Sequence, residues 1–271
     1  MTTPPPTIAG LVDTHCHLDY PPMSEDVAAT LARAAAAGVV QVVHIGCSVD
    51  RLQRAIQLAD AHDGVFAVIG IHPHDAMVTD DGVLARLEAL ARHPKVVAIG
   101  ESGLDYHYDR SPRAKQIESL ERHIALATSL DKPLVLHIRD AHDEALAVVA
   151  QQRLRDRPGI VHCFTGGPDE AERWLAAGFH LSFSGIATFP NAEPIRMAAR
   201  VCPPDRVLLE TDAPFLTPVP LRGRKNEPAN VAFTCVRLAK ERGEDPAVLA
   251  AHAAGNARLL LGLPEPVPVQ A

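Results

Sequence analysis

Residues 10–17 read Gly10-Leu-Val-Asp13-Thr-His15-Cys-His17, a short apolar run that turns ionisable at its end. The same construction recurs along the chain. Val65–His72 closes on His72 and continues into Pro73-His74, and Val96–Glu101 closes on Glu101. Pro133–Ile138 carries His137, Gly159–Phe164 carries His162, and Arg206–Asp212 ends in Glu210-Thr-Asp212. Val39–Cys47 and His180–Gly185 complete the set. Most of these runs are apolar throughout rather than alternating, the pattern of strands buried on both faces in a parallel sheet. The segments Ser24–Ala37, Asp50–His62, Asp80–Arg92, Ser111–Leu130, Ala141–Arg155 and Pro168–Ala177 carry helical periodicity between them. Gly38 follows the first as a C-terminal glycine would. Ser24 with Glu25 and Asp26, and Pro168 with Asp169 and Glu170, mark helix N-termini.

Strands alternating with helices in this way predict an α/β protein, a TIM-like (β/α)8 barrel. An open doubly wound sheet would need a glycine-rich phosphate loop, and neither G-x-G-x-x-G nor G-x-x-x-x-G-K-[ST] occurs. The 271 residues would suggest two domains at about 150 each, but α/β barrels of about 200–250 fold as one. Residues 8–262 contain no linker and read as a single barrel domain, with 1–7 and the Pro-rich 263–271 as loose tails.

Composition narrows the function classes. Hydrophobic residues at 47% and charged residues at 22% exclude a disordered body. No run approaches the roughly 18 apolar residues of a membrane span. A net charge of −7 argues against a protein that coats nucleic acid, and 4% aromatics argue against a long base-stacking groove. The five cysteines are odd in number and form no C-x-x-C, so neither a disulfide framework nor a thiolate zinc site is expected. A reducing, cytoplasmic compartment fits. Met1–Thr7 has neither the basic segment nor the apolar core of a signal peptide.

In such a barrel the C-terminal strand ends form the active-site face, so the ionisable residues at those ends converge. His15 and His17, two apart on a strand, point to one side, and Cys16 points toward the helices. Singly, His137 or His162 would be a core histidine, Glu101 a cap or ion-pair carboxylate, and Asp212, before Ala-Pro, a turn residue. Together, buried carboxylates among histidines call for cations, because an uncompensated buried charge is costly. The candidate ligands His15, His17, Glu101, His137, His162 and Asp212 exceed the about four that one zinc takes. Two divalent ions, about 3.5–4 Å apart and bridged by Glu101, would use them all. His15, His17 and Asp212 would complete one site, and His137 and His162 the other. Mixed imidazole and carboxylate ligands suit Zn, Mn or Mg. Such a pair is a tool for hydrolysis.

At these residues the sequence resembles the TatD-type metal-dependent deoxyribonucleases of the barrel amidohydrolase superfamily. The matching motifs are Asp13-Thr-His-Cys-His17-Leu, Gly70-Ile-His-Pro-His74, Gly100-Glu-Ser-Gly-Leu-Asp-Tyr106, Leu136-His-Ile-Arg139, His162-Cys-Phe-Thr-Gly166, Glu210-Thr-Asp-Ala-Pro-Phe-Leu216, Arg224-Lys-Asn-Glu-Pro228 and Asn256-Ala-Arg. The resemblance implies a TIM-like barrel, divalent-metal dependence, and 3′→5′ exonuclease activity on DNA in repair and degradation. Some relatives resemble D-aminoacyl-tRNA deacylases, the alternative ester-hydrolase reading. The family's ligand pattern falls on the same six positions, and His72 falls where the family approaches substrate phosphate. Many relatives read Arg-Asn-Glu-Pro where this chain has Lys225-Asn-Glu-Pro, a point charge in place of a fork.

The expected roles follow. Glu101, Asp212 and His72 serve catalysis, Asp212 as proton acceptor and His72 as donor to phosphate. His72, Arg139, Arg224 and Lys225 bind substrate. Glu210 orients a ligand or acts as a base, Asp105 and Tyr106 touch substrate or shape their loop, His74 is a surface loop residue, and His44 is a core histidine. The expected substrates are DNA 3′ ends, with RNA or tRNA as further candidates. No membrane partner is expected, and the chain reads as a monomer or weak oligomer. The remaining rival is a barrel that binds a partner without catalysis.

Overall fold

The computed structural model describes residues 3–266. Eight strands form one parallel sheet: β1 Leu11–Cys16, β2 Val39–Gly46, β3 Val65–Ile69, β4 Val96–Asp105, β5 Leu134–Arg139, β6 Gly159–Val161, β7 His180–Phe183 and β8 Val207–Leu209. They pair in sequence order, and a parallel bridge from Cys16 to Ala213 joins β1 to the chain just past β8. The helices around the sheet are α1 Val27–Ala36, α2 Leu52–Ala61, α3 Asp81–Ala91, α4 Arg113–Ser129, α5 His142–Ala150, α6 Pro168–Ala176, α7 Glu193–Val201, α8 Val231–Arg242 and α9 Pro246–Leu261. This is the (β/α)8 barrel that the strand pattern predicted. Among the described residues no helix is long and apolar enough to cross a membrane.

Two clusters make the core. One lies between sheet and helices. The other gathers Val12, Val43, Val68, Val97, Val135, Ile160 and Leu208, from seven of the strands, with Ala254, Ala257 and Leu260 of α9. Residues from so many strands meet only inside the barrel. The interior is therefore apolar, and α9 closes its lower end. That leaves the C-terminal rim as the place where polar side chains gather.

Several boundaries differ from the sequence reading, for local reasons. Helix α1 starts at Val27 because Asp26, not Ser24, caps it, accepting from the Ala29 N–H at 2.8 Å. Helix α5 stops at Ala150, short of Arg155. Helices α7, α8 and α9 have no counterpart among the periodic segments. Pro190 and Pro194 interrupt the approach to α7, and α9 buries residues around much of its circumference, which blurs its stripe. Leu263 and Pro264, expected in a loose tail, are held: Leu263 is buried, and the Pro264 carbonyl accepts from Gln41 Nε2 at 2.8 Å. The rest of that tail from 267 on, and residues 1 and 2, lie outside the described residues.

Strand β4 sets up the site. It continues to Asp105, so Glu101 is not its last residue. The pairing with β5 runs Gly100 to Val135 and then Ser102 to Leu136, leaving Glu101 as the extra residue of a bulge. A bulge re-aims the side chain it carries. Glycine is required on its near side: a Cβ on Gly100, at φ +146°, would sit 2.3 Å from the Val135 carbonyl oxygen.

Candidate metal centre

Glu101 sits at the centre of four imidazoles. Its Oε1 lies 2.8 Å from His162 Nε2, 3.0 Å from His137 Nδ1 and 3.5 Å from His72 Nε2. Its Oε2 lies 3.4 Å from His15 Nε2. Asp212 Oδ1 stands 3.5 Å from His17 Nε2 and 3.8 Å from His15 Nε2. The six residues predicted at five strand ends thus meet in one cluster at the rim. His15 stacks on His162 with ring centroids 3.9 Å apart. Asp212 follows β8 rather than ending it, at φ +55°, where the chain turns out of the barrel.

Behind the ring stands a set of carboxylates. Asp105 Oδ2 accepts from His137 Nε2 at 3.0 Å and from His74 Nε2 at 2.9 Å, while its Oδ1 accepts from the Tyr108 N–H at 2.8 Å. Glu210 Oε1 accepts from His162 Nδ1 at 3.3 Å and from the Cys163 N–H at 2.8 Å. Each carboxylate fixes the tautomer that turns the other ring nitrogen toward Glu101. Asp13, fully buried, accepts from the Thr211 N–H at 2.9 Å and from the Thr211 hydroxyl at 2.6 Å, tying β1 to the segment that carries Asp212. Its carboxyl is pushed up to about 8, chiefly by burial.

Charge is distributed unevenly. Burial alone would push the Glu101 carboxyl up, but His162, His72 and His15 hold it well below the usual carboxylate range. Burial works against a charged His162, and Glu101 and Glu210 overcome it, raising it well above the ordinary imidazole range. His137 is raised in the same way by Asp105 and Glu101. His72 is pushed down to about 4, mainly by burial.

These residues fit divalent cations. Both ring nitrogens of His15, and Nδ1 of His17, are buried without a hydrogen-bond partner. A buried imidazole lone pair left without a partner is costly, and a cation bound there would take it. Three groups offer ligand atoms within 4.8 Å of one another: His15, His17 and Asp212; His72, Glu101 and His137; and His15, His162 and Glu210.

The cluster floors a cavity of about 1000 Å³. Arg139 lines it, as expected of a phosphate-binding group, and so does Arg110, which the sequence did not single out. Arg224 and Lys225 do not line it. They lie on an exposed loop, and their motif has another job. Its Asn226 is buried, donating to the carbonyls of Thr211 at 3.0 Å and Phe215 at 2.7 Å, so it braces the segment around Asp212. Arg222 packs over the Phe189 ring at 3.7 Å. His74, expected on the surface, is instead half-buried and bonded to Asp105. His44 is a core histidine, its Nδ1 accepting from the Leu18 N–H at 3.1 Å. Cys16 faces the helices, but Cys163 reaches the cavity wall, because β6 ends at Val161 and Cys163 adopts φ +42°. Strand alternation does not extend that far.

An eight-stranded barrel with histidines and carboxylates gathered at its C-terminal rim defines a metal-dependent barrel hydrolase. The family model described as TatD related DNase matches residues 12–262, and the chain belongs to that family. It is 39% identical over 230 residues to the uncharacterized metal-dependent hydrolase YabD of Bacillus subtilis, covering 85% of this chain and 90% of that one. It is 40% identical over 236 residues to the 3′-5′ ssDNA/RNA exonuclease TatD of Cronobacter sakazakii, covering 85% and 89%. Its fold is similar to the crystal structure of YjjV, a TatD homologue from Escherichia coli K12, with a TM-score of 0.89, 33% identity, and coverage of 95% of this chain and 100% of that one.

Proposed function

We propose that the protein removes nucleotides from the 3′ end of DNA, as a phosphodiesterase using two divalent cations. The observation that carries this reading is the position of Glu101, whose two oxygens face histidines of β1, β5 and the segment after β6. One carboxylate so placed is the natural bridge between two ions. His15, His17 and Asp212 would complete one site, and His137 and His162 the other. Cations bound there would supply a water of lowered pKa and positive charge for the phosphoryl oxygens.

The chain's own groups supply the rest. Asp105 and Glu210 hold His137 and His162 in the ligating tautomer. Asp212 is the only carboxylate of the ligand set with appreciable side-chain exposure, 15% against 4% for Glu101, and it accepts the proton of the attacking water. His72 Nδ1 accepts from the His74 N–H at 3.1 Å, so a neutral His72 carries its proton on Nε2. That N–H faces the cluster and donates to a phosphoryl or leaving oxygen. Arg139, on the wall, takes a phosphate. Single-stranded DNA or RNA is the substrate of the Cronobacter relative by name, and it supports an unpaired strand here. A cytoplasmic site of action fits the five free cysteines.

The test is metal-stripped protein reconstituted with Mg, Mn or Zn, given 3′- and 5′-labelled single strands, duplexes, RNA and D-aminoacyl-tRNA. Release of mononucleotides from the 3′ end is expected. Cleavage of the aminoacyl ester, with every strand left intact, would refute the nuclease reading.

A further inference from the structure

Two large aromatic side chains at the cavity mouth take no part in the ligand cluster. Phe215, three residues past Asp212, is 49% exposed. It stands edge-on to His17 and Tyr20, at centroid distances of 6.0 and 5.9 Å. Tyr108, in the loop after β4, is 53% exposed. The guanidinium carbons of Arg139 and Arg110 lie 4.9 and 5.4 Å from its ring centroid. With strands ordered β1 to β8, the loops after β8 and β4 stand across the mouth from each other. Glu101 lies between them, in contact with His15 of β1 and His137 of β5. Among the described residues, Arg110 and Arg139 are the only arginines on the cavity wall and no lysine joins them; the exposed carboxylates Asp75 and Asp140 line it too, Asp140 3.2 Å from His107 Nδ1.

Resting on the nuclease reading, we infer that this asymmetry sets the direction of a bound single strand. The base of the departing 3′ nucleotide stacks on Phe215, and the upstream strand leaves over Tyr108 beside Arg110 and Arg139. Charge sets the direction. The departing nucleotide brings only the phosphodiester at Glu101, so its base needs an apolar platform and no further cation. Every upstream nucleotide brings another anionic phosphodiester, and the wall's arginines are all on that side. Base stacking on an aromatic ring is indifferent to sequence, because every base has a π-face. A terminal base can reach Phe215 only when it is unpaired. The substrate class is therefore an unpaired 3′ strand of any sequence whose last residue carries a base.

Three oligonucleotides test this: one intact, one with a tetrahydrofuran abasic residue at the 3′ end, and one with it at the penultimate position. The protein is expected to prefer the intact terminus over the terminal abasic strand by about tenfold in kcat/KM, a typical stacking effect. Phe215→Ala brings that ratio close to one, and Phe215→Trp keeps it. A terminal 2-aminopurine is quenched on binding to the unaltered protein and not to Phe215→Ala, a readout independent of turnover. Tyr108→Ala and Arg139→Ala keep the terminal ratio but lose discrimination at the penultimate position, and Arg139→Ala lowers the salt slope by about 0.7. An unchanged terminal ratio in Phe215→Ala overturns the inference, and so does loss of that ratio in Tyr108→Ala instead. A protein that cuts none of the strands yet cleaves an aminoacyl ester refutes the nuclease reading and this placement with it, whereas strands cut with unaltered ratios refute the placement alone.

Discussion

Asp105→Asn isolates what the carboxylates behind the ligands do. In the structure both histidines, His74 and His137, approach Asp105 Oδ2 as donors, at 2.9 and 3.0 Å, while Oδ1 takes the Tyr108 N–H at 2.8 Å. All of its partners are donors, and an asparagine of the same shape can accept with only one of its two ends. If its oxygen faces the histidines, its NH2 meets the Tyr108 N–H, and a buried donor goes unsatisfied at a cost of about 1–3 kcal/mol. If its NH2 faces the histidines, His137 must accept at Nε2. Its proton then moves to Nδ1, the nitrogen that lies 3.0 Å from Glu101 and would ligate a cation. Either way one ligand is weakened. Losing such an outer partner typically costs about 10–100-fold in metal affinity or activity. The assay is metal titration of stripped enzyme, followed by turnover of a labelled strand and by metal content after dialysis. The midpoint of activation should move to about 10–100-fold higher metal, with less loss at saturation. An unchanged midpoint and unchanged metal content would refute the assignment of Asp105 as the group that sets His137.

Glu101→Gln should lose more than that range, since it removes the one negative charge that four imidazoles share, and elemental analysis should find less than stoichiometric metal; near-normal turnover would sink the two-cation site. Arg224→Ser with Lys225→Ser should leave KM and its salt dependence unaltered, because neither side chain lines the cavity, and a raised KM would restore the loop as a substrate contact. Metal binding should release protons, since His162 and His137 are raised above their ordinary range and must be deprotonated to ligate, so affinity should fall as pH falls; calorimetry in buffers of different ionisation heat would detect the exchange. His123 is buried neutral, its pKa pushed down to about 4 from 6.5, so it contributes stability that is complete above 6.5 and lost as pH falls toward 4. At pH 5 that loss is about 2 kcal/mol, and urea unfolding of His123→Gln should show a pH slope shallower by that amount.

The barrel and the cluster at its rim were legible because both depend on one-dimensional patterns. Runs such as Gly159–Phe164 are apolar enough to require burial on both faces, and the residues ending them are too polar to stay inside unpaired. What the sequence hid depends on geometry that spacing does not encode. Asp105 sits four residues past Glu101, and only the glycine-flanked bulge in β4 lets Glu101 face the histidine cluster while Asp105 faces the outer side of His137. A regular strand gives residues four apart the same face, and would have pointed both carboxylates to one side of the sheet. His74 looked like a surface residue because its partner, Asp105, is 31 positions away. The basic motif around Lys225 looked like a phosphate contact because its charges are conspicuous, whereas its structural weight rests on the uncharged Asn226.

The same contrast bears on how a protein of net charge −7 would take the polyanion proposed for it. Four acidic groups at the rim face inward: Glu101 and Asp212 toward the candidate ion positions, Asp105 and Glu210 toward the histidines behind them. Outer-surface acids are largely answered by arginines, as in the Arg196, Arg200, Glu193 and Glu241 cluster. What a strand would meet on the wall is two arginines offset by the exposed carboxylates Asp75 and Asp140, two exposed rings and the cations the cluster would hold. Attraction then depends on those cations. The Coulomb attraction between strand and protein should fall sharply in the stripped protein, because removing divalent ions uncovers Glu101 and Asp212 to the same phosphodiester they would otherwise help to bind.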